Sequence, residues 1–194
     1  MDKSFDDMTA LLQAVWPSIS KIDWSDFCTR GVEAYNEAGV PKYTGLIMHR
    51  AGGGCVGAST ATVGFIPRPE QSSIIVTTKT MICTDLAEDI KASIERRDAK
   101  NNVFGGGVLC SRDDKVAYAI SGLPEIGDHL LVADMMWACS ILCLDDFNDI
   151  ADLEFAGVED TCARVGMNGQ SYEDLKVKIG DIVYEAAQTL GLQS

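Results

Sequence analysis

The feature that most constrains this chain is a pair of glycine-punctuated apolar stretches, YTGLIMHRAGGGCVGASTATVG (43–64) and GGGVLCSRDDKVAYAISGLP (105–124). Each reads as two short strands around a turn. In the first, Tyr43–Arg50 and Cys55–Gly64 flank Gly52–Gly54; in the second, Gly107–Ser111 and Val116–Leu123 flank Arg112–Lys115. Loops of this length between β-prone runs predict antiparallel hairpins. Together with the helical stretches between and around them, the two hairpins predict a mixed α/β (α+β) fold.

Helical patterns lie on either side of the hairpins in the sequence. Met8, Leu11, Leu12, Val15 and Trp16 recur at helical spacing, with Pro17 as the expected stop. A second helix is expected from the cap Asp23 through Trp24, Phe27, Cys28, Val32 and Tyr35 to Gly39. The run SIIVTTKTMIC (73–83) is ambiguous. Its β-branched residues favour strand, yet Ile74, Ile75, Thr78, Met81 and Ile82 share a helical face. The next piece, DLAEDIKASIERR (85–97), reads as a helix with Asp85 and Glu88 at capping-box spacing. Pro124 should end the second hairpin, and Asp128 should cap an almost wholly apolar helix reaching about Leu144. A last helix is expected over Tyr172–Leu190.

Charge excludes some functions. The chain carries −13 at neutral pH, which argues against a nucleic-acid partner, because phosphate binding needs clustered Lys and Arg. The acidic start MDKSFDDM lacks the positive, then apolar, pattern of a signal peptide. No run approaches the roughly 18–20 apolar residues of a membrane span. Seven cysteines without an export signal point to reduced thiols and a cytoplasmic protein.

Chemistry-bearing motifs are sparse. The glycines Gly105–Gly107 are followed by a strand, and no G-x-x-x-x-G-K-[ST] pattern is present, so they read as a tight corner or a close approach rather than a phosphate cradle. No metal motif occurs, and DDFNDIADLE (145–154) lacks the glycine and terminal spacing of a calcium loop. Two histidines are present, His49 at a strand end and His129 beside the cap Asp128. Lys79 is the lone cation within its apolar run. A pocket is therefore expected where Gly106, Gly107, Ser121 and Gly122 meet Asp128 and His129, with Lys79 approaching from a neighbouring helix and His49 as a further candidate ligand. Both Lys79→Ala and His129→Ala are expected to remove function while sparing stability.

Three pieces in order resemble the GlcG/HbpS-like family, which includes the carboxy-terminal domain of PduO-type proteins: EAYNEAGVPKYTGLIMHRAGGGCVGAS, SSIIVTTKTMICTDL with its central Lys79, and GGGVLCSRDDKVAYAISGLPEIGDHLLVADM. The resemblance spans roughly residues 24–144, leaving 1–23 and 145–194 as helical extensions. It implies an antiparallel, profilin-like sheet of about five strands packed against helices. It also implies symmetric homo-oligomers, an expectation that the apolar helix 128–144 shares. Further, it implies helix rather than strand at 72–82. Some members of the family bind haem. The leading expectation is thus a small-molecule or tetrapyrrole-binding protein, with haem as the candidate cofactor. The alternatives are an isomerase or lyase using Lys79 and His129 for proton transfer, with backbone N–H groups near Ser121 and Gly122 stabilising charge, and an oligomer without a ligand.

Overall fold

The computed structural model describes residues 3–33, 39, 41–52, 58–85, 91–101, 103–111 and 116–192. The helices are α1 (Lys3–Ile19), α2 (Pro69–Asp85), α3 (Glu125–Ala138), α4 (Leu144–Ile150), α5 (Val158–Val165) and α6 (Gly169–Leu190). The strands are β1 (Gly45–Ala51), β2 (Ser59–Gly64), β3 (Gly107–Ser111) and β4 (Val116–Ser121). They form one antiparallel open sheet in the order β2-β1-β4-β3. Both expected hairpins are thus present and share a sheet, joined through β1 and β4. Their turns, at 53–57 and 112–115, lie outside the described residues.

Helices cover the sheet on two sides. α2 crosses β1, β4 and β3, while α3 packs on the opposite face with α1 against β2, and α6 lies against both α1 and α3. Strand alternation sorts the side chains accordingly. Ile47 and Ala119 meet Val76 of α2 in a small cluster. Leu46, Met48, Tyr118 and Ile120 join the main core with Met8, Leu12, Leu130, Leu175 and Ile179. The expected terminal extensions, 1–23 and 145–194, therefore contribute α1 and α6 to the same core as the sheet. β1 and β4, covered on both faces, are buried apart from the half-buried Ala51 at the end of β1, whereas β2 alternates because α2 leaves Thr60 and Thr62 uncovered.

Several boundaries differ from expectation, each for a local reason. Pro17 lies inside the last turn of α1, which continues to the fully buried Ile19. A proline there removes a single helical bond, and burial of Ile19 compensates. The helix expected from Trp24 is a short 3-10 turn, Trp24–Asp26, although Asp23 does cap it through Ser25 N–H at 3.0 Å. Thr29 and Arg30 N–H donate instead to Val165 O, and the Arg30 guanidinium reaches Ala163 O at 2.6 Å. Those contacts satisfy the open carbonyls at the end of α5. Residues 34–38 lie outside the described residues.

The helix expected over 85–97 is not formed in its described part. Lys91 and Ala92 run along the outer edge of β3, with an Ala92–Val108 bridge and Leu109 N–H on Lys91 O. The Glu95 carboxylate accepts the N–H groups of Lys91 and Ala92 at 2.6 and 2.8 Å, closing a 3-10 turn over Ser93–Arg96. Residues 86–90, including the proposed Glu88 cap contact, are outside the described set. The described sheet thus has four strands where about five were expected, because pairing at this edge stops after one bridge.

The apolar helix is also shorter than the 128–144 expectation. Pro124 stands at the N-cap of α3, where its fixed φ and missing N–H cost nothing. At the far end Ser140 takes φ 56, and Ile141 and Leu142 N–H return to Met136 O. That left-handed residue ends α3 and lets α4 turn back.

Candidate functional site

Helix α2 turns Val76, Lys79, Thr80 and Cys83 toward the sheet. Lys79 is therefore buried, at 1% exposure, and its ammonium must find partners inside. Nζ donates to Ile120 O at 2.6 Å and to Asp128 Oδ2 at 2.9 Å. Asp128 Oδ1 accepts Leu123 N–H at 3.0 Å. Burial pushes the Asp128 carboxyl up to about 6, while Lys79 and the Leu123 hydrogen bond act in the other direction. The ion pair grips residues 120 and 123, the two ends of the turn between β4 and α3.

Glycines make room for that pair. Gly106 has φ 95, and a Cβ there would lie 2.6 Å from Asp128 Cβ and 3.0 Å from Lys79 Nζ. Gly107 packs on the Lys79 stem, where a Cβ would sit 3.0 Å from Lys79 Cβ. Its N–H donates to Ser93 Oγ, which donates to Phe104 O. The glycine run is a close backbone approach to a buried lysine. Alongside, Glu125 accepts Gly105 N–H and the Arg97 guanidinium, both at 2.7 Å.

The gripped turn forms one wall of a cleft of about 360 Å³. Ser121, Gly122 and Leu123 face the segment Pro41–Gly45 and the beginning of α2, with Arg68, Gln71, Ser72 and Ile75. The volume lies in the range of small-ligand pockets, roughly 300–1,000 Å³. Two of its backbone positions are unusual. Gly122 has φ 142, and a side chain there would overlap the Gly45 carbonyl. Tyr43 holds φ 57, a left-handed conformation that a bulky residue adopts at a cost of about 1–3 kcal/mol. The Tyr43 hydroxyl donates to Gly31 O at 3.1 Å, and burial raises its pKa to about 12, so it keeps its proton.

The expected site residues thus separate into three places. Lys79, Asp128, Gly106 and Gly107 meet in the interior behind the cleft, and Ser121 and Gly122 line the cleft itself. His129 joins neither group. It lies in α3, fully buried and with partners other than those of Asp128: Nε2–H donates to Ile150 O at 3.0 Å and the ring stacks on Phe155 at 6.3 Å. Nδ1 has no partner among the described residues, and burial holds the imidazole's pKa below its usual value. His49 sits on the α2 face of β1, where Nδ1 pairs with Thr80 Oγ1 at 2.8 Å, and burial again favours the neutral ring.

Sequence reasoning missed Lys42, Tyr43, Arg68, Gln71 and Ser72, which line the cleft. The usable signal was the two prolines around Arg68, which bring the chain into the start of α2. Among the described residues no cluster of His, Cys, Asp and Glu could hold a metal ion, and Cys28, Cys83, Cys139, Cys143 and Cys162 are free thiols. No helix of the described residues is long and apolar enough to cross a membrane. Comparison with protein-family models, curated proteins and solved structures returns no match for this chain.

Proposed function

We propose that the chain binds a small organic molecule in the cleft between the Ser121–Leu123 turn, Pro41–Gly45 and the start of α2. The observation that carries this reading is the combination of an open cleft with a wall fixed from behind by the Lys79–Asp128 pair. Preorganised walls reduce the entropic cost of binding, and backbone strain at Tyr43 is the kind of feature that clusters at ligand sites.

The GlcG/HbpS-like, profilin-like assignment stands as part of this proposal. It is supported by the strand order, by a helix carrying Lys79 laid across the sheet, and by the Ala92 bridge where a fifth strand would pair. Haem fits the cleft poorly. No histidine, cysteine or methionine lines it, and the Tyr43 hydroxyl is engaged with Gly31, so an axial ligand is lacking among the described lining residues. Proton-transfer catalysis by Lys79 and His129 is less well supported than binding, because both are buried and they point to different partners. The oligomer reading loses its main argument, since α3 is covered within the chain by α6, α1, α4 and α5.

Fragment mapping by ¹⁵N–¹H NMR tests the proposal. Mixed uncharged, cationic and anionic fragments should concentrate their shifts at Gly45, Arg68, Gln71, Ser121 and Gly122. Hits concentrated elsewhere would overturn the cleft as the binding site. A haemin titration read by absorbance should give no saturable complex dependent on His49.

A further inference from the structure

We infer, building on the cleft as the binding site, that its ligand is a small organic carboxylate with an apolar body. The lining has a charge pattern opposite to that of the chain. The protein holds 29 acidic and 16 basic residues, yet among the described residues the cleft is lined by Lys42 and Arg68 and by no Asp or Glu. Glu33 pairs with Lys42 at 3.4 Å and Asp128 with Lys79 behind the wall, which leaves Arg68 as the lining cation without an acidic partner among the described residues. Glu70, in the first turn of α2, is exposed and does not line the cleft. The Arg68 guanidinium, with no carboxylate beside it among the described lining residues, is a local attraction for an anion.

Hydrogen-bonding capacity points the same way. Arg68, Gln71, Ser72 and Ser121 line the cleft, and their side chains have no hydrogen-bond partner among the described residues. Together they offer a guanidinium fork, an amide N–H₂ and two hydroxyls. A planar carboxylate matches the fork with two parallel bonds and accepts from the remaining donors. Pro41, Ile66, Pro67, Ile75 and Leu123 supply the rest of the wall. That apolar portion favours a carboxylate carrying a hydrocarbon group over a bare phosphate or a polyanion, whose hydrated charge it would strip without replacement.

Two matched trios test the inference on the full chain: phenylacetate, phenylacetamide and 2-phenylethylamine, then hexanoate, hexanamide and hexylamine. Binding is followed through the amide signals of Ser121, Gly122 and Leu123. The acid of at least one trio should shift them saturably and bind about tenfold or more tightly than its amide, as expected for losing one charge-assisted pairing. Arg68→Gln should reduce acid affinity to that of the amide without lowering the melting temperature, because Arg68 is exposed. Lys42→Gln should weaken the acid in the same direction. Equal affinity for acid and amide, preference for the amine, or no effect of Arg68→Gln would overturn the carboxylate assignment while leaving the cleft as a binding site. Absence of cleft shifts with every acid would also overturn it, and fragment mapping then reports separately whether the cleft binds anything.

Discussion

At the scale of single residues, the chemistry of Lys79 is decided by where its ammonium ends. A cation inside an apolar run could have reached a pocket or water; here it closes on Asp128 and Ile120 O in the interior. Asp128 was legible as a helix-start residue and does accept an N–H just ahead of α3. Its pairing with Lys79 was not legible, because the partners are far apart in sequence and nothing local encodes their meeting. The expectation that Lys79→Ala and His129→Ala would spare stability is revised by burial. Lys79→Met should lower stability by about 3–5 kcal/mol, since it leaves Asp128 buried and uncompensated. The double variant Lys79→Met/Asp128→Leu should recover a large part of that loss in urea denaturation. A double variant as unstable as the single would contradict the ion-pair account.

Asp134 offers a second residue-scale test. It is buried in α3 with Oδ2 unpartnered among the described residues, and burial raises its carboxyl to about 7, against a partial counter-effect of Lys176 on α6. The folded protein thus keeps a proton that the unfolded chain releases. Stability should therefore fall as pH rises from the ordinary carboxylate range through about 7, and return on acidification. Asp134→Asn should remove that part of the slope and raise stability at pH 8 by an amount on the order of 2–4 kcal/mol. The slope due to Asp128, also raised, should persist in this variant. Thermal melts at pH 5.5, 6.5 and 8 give the answer; an unchanged profile in Asp134→Asn would remove Asp134 as its source.

Among the elements, α2 shows how a β-prone sequence becomes a helix. Thr78 and Thr84 hydroxyls bond back to Ile74 O and Thr80 O, and the face bearing Val76, Lys79 and Thr80 is needed to cover three strands. Tertiary burial overrides a weak local preference. The hairpins were legible because alternation and glycine turns are local signals. Thr29–Arg30 and Lys91–Ala92 depart from the expected helices because their backbone partners, Val165 O and the edge of β3, lie far away in the chain. The turn between β4 and α3 carries the sharpest element-scale prediction. Gly122→Ala puts a side chain at φ 142 and against the Gly45 carbonyl, so stability should drop by more than about 2 kcal/mol in chemical denaturation. By contrast, Ile74→Lys on the outer face of α2 should stay within about 0.5 kcal/mol of the parent.

For the whole molecule, the core runs from Met8 in α1 to Ala187 in α6. The resemblance covered only residues 24–144, and periodicity could not say whether the flanking helices pack on that region. The core implies that residues 24–144 do not fold alone. That fragment should bind the dye ANS and lack near-ultraviolet circular dichroism, the signs of lost side-chain packing, because α3 would expose the face now covered by Leu175, Ile179 and Val183. A sharp cooperative melt from the fragment would restore the view of two dispensable extensions. The cleft was only half legible for a related reason. Ser121 and Gly122 sit in a motif, whereas Lys42, Tyr43 and Arg68 become neighbours only after the sheet closes.

The grip of Lys79 and Asp128 on the 120–123 turn also separates two kinds of inheritance. The groups that keep the wall in place are interior, and each is constrained by several contacts at once. The groups that would read a ligand, Lys42, Arg68, Gln71 and Ser72, stand on other segments and are half-buried or exposed. Substitution at these four positions can retune which molecule is accepted without reopening the question of whether the chain folds. Such a scaffold is free to drift in specificity across descendants while its architecture stays put.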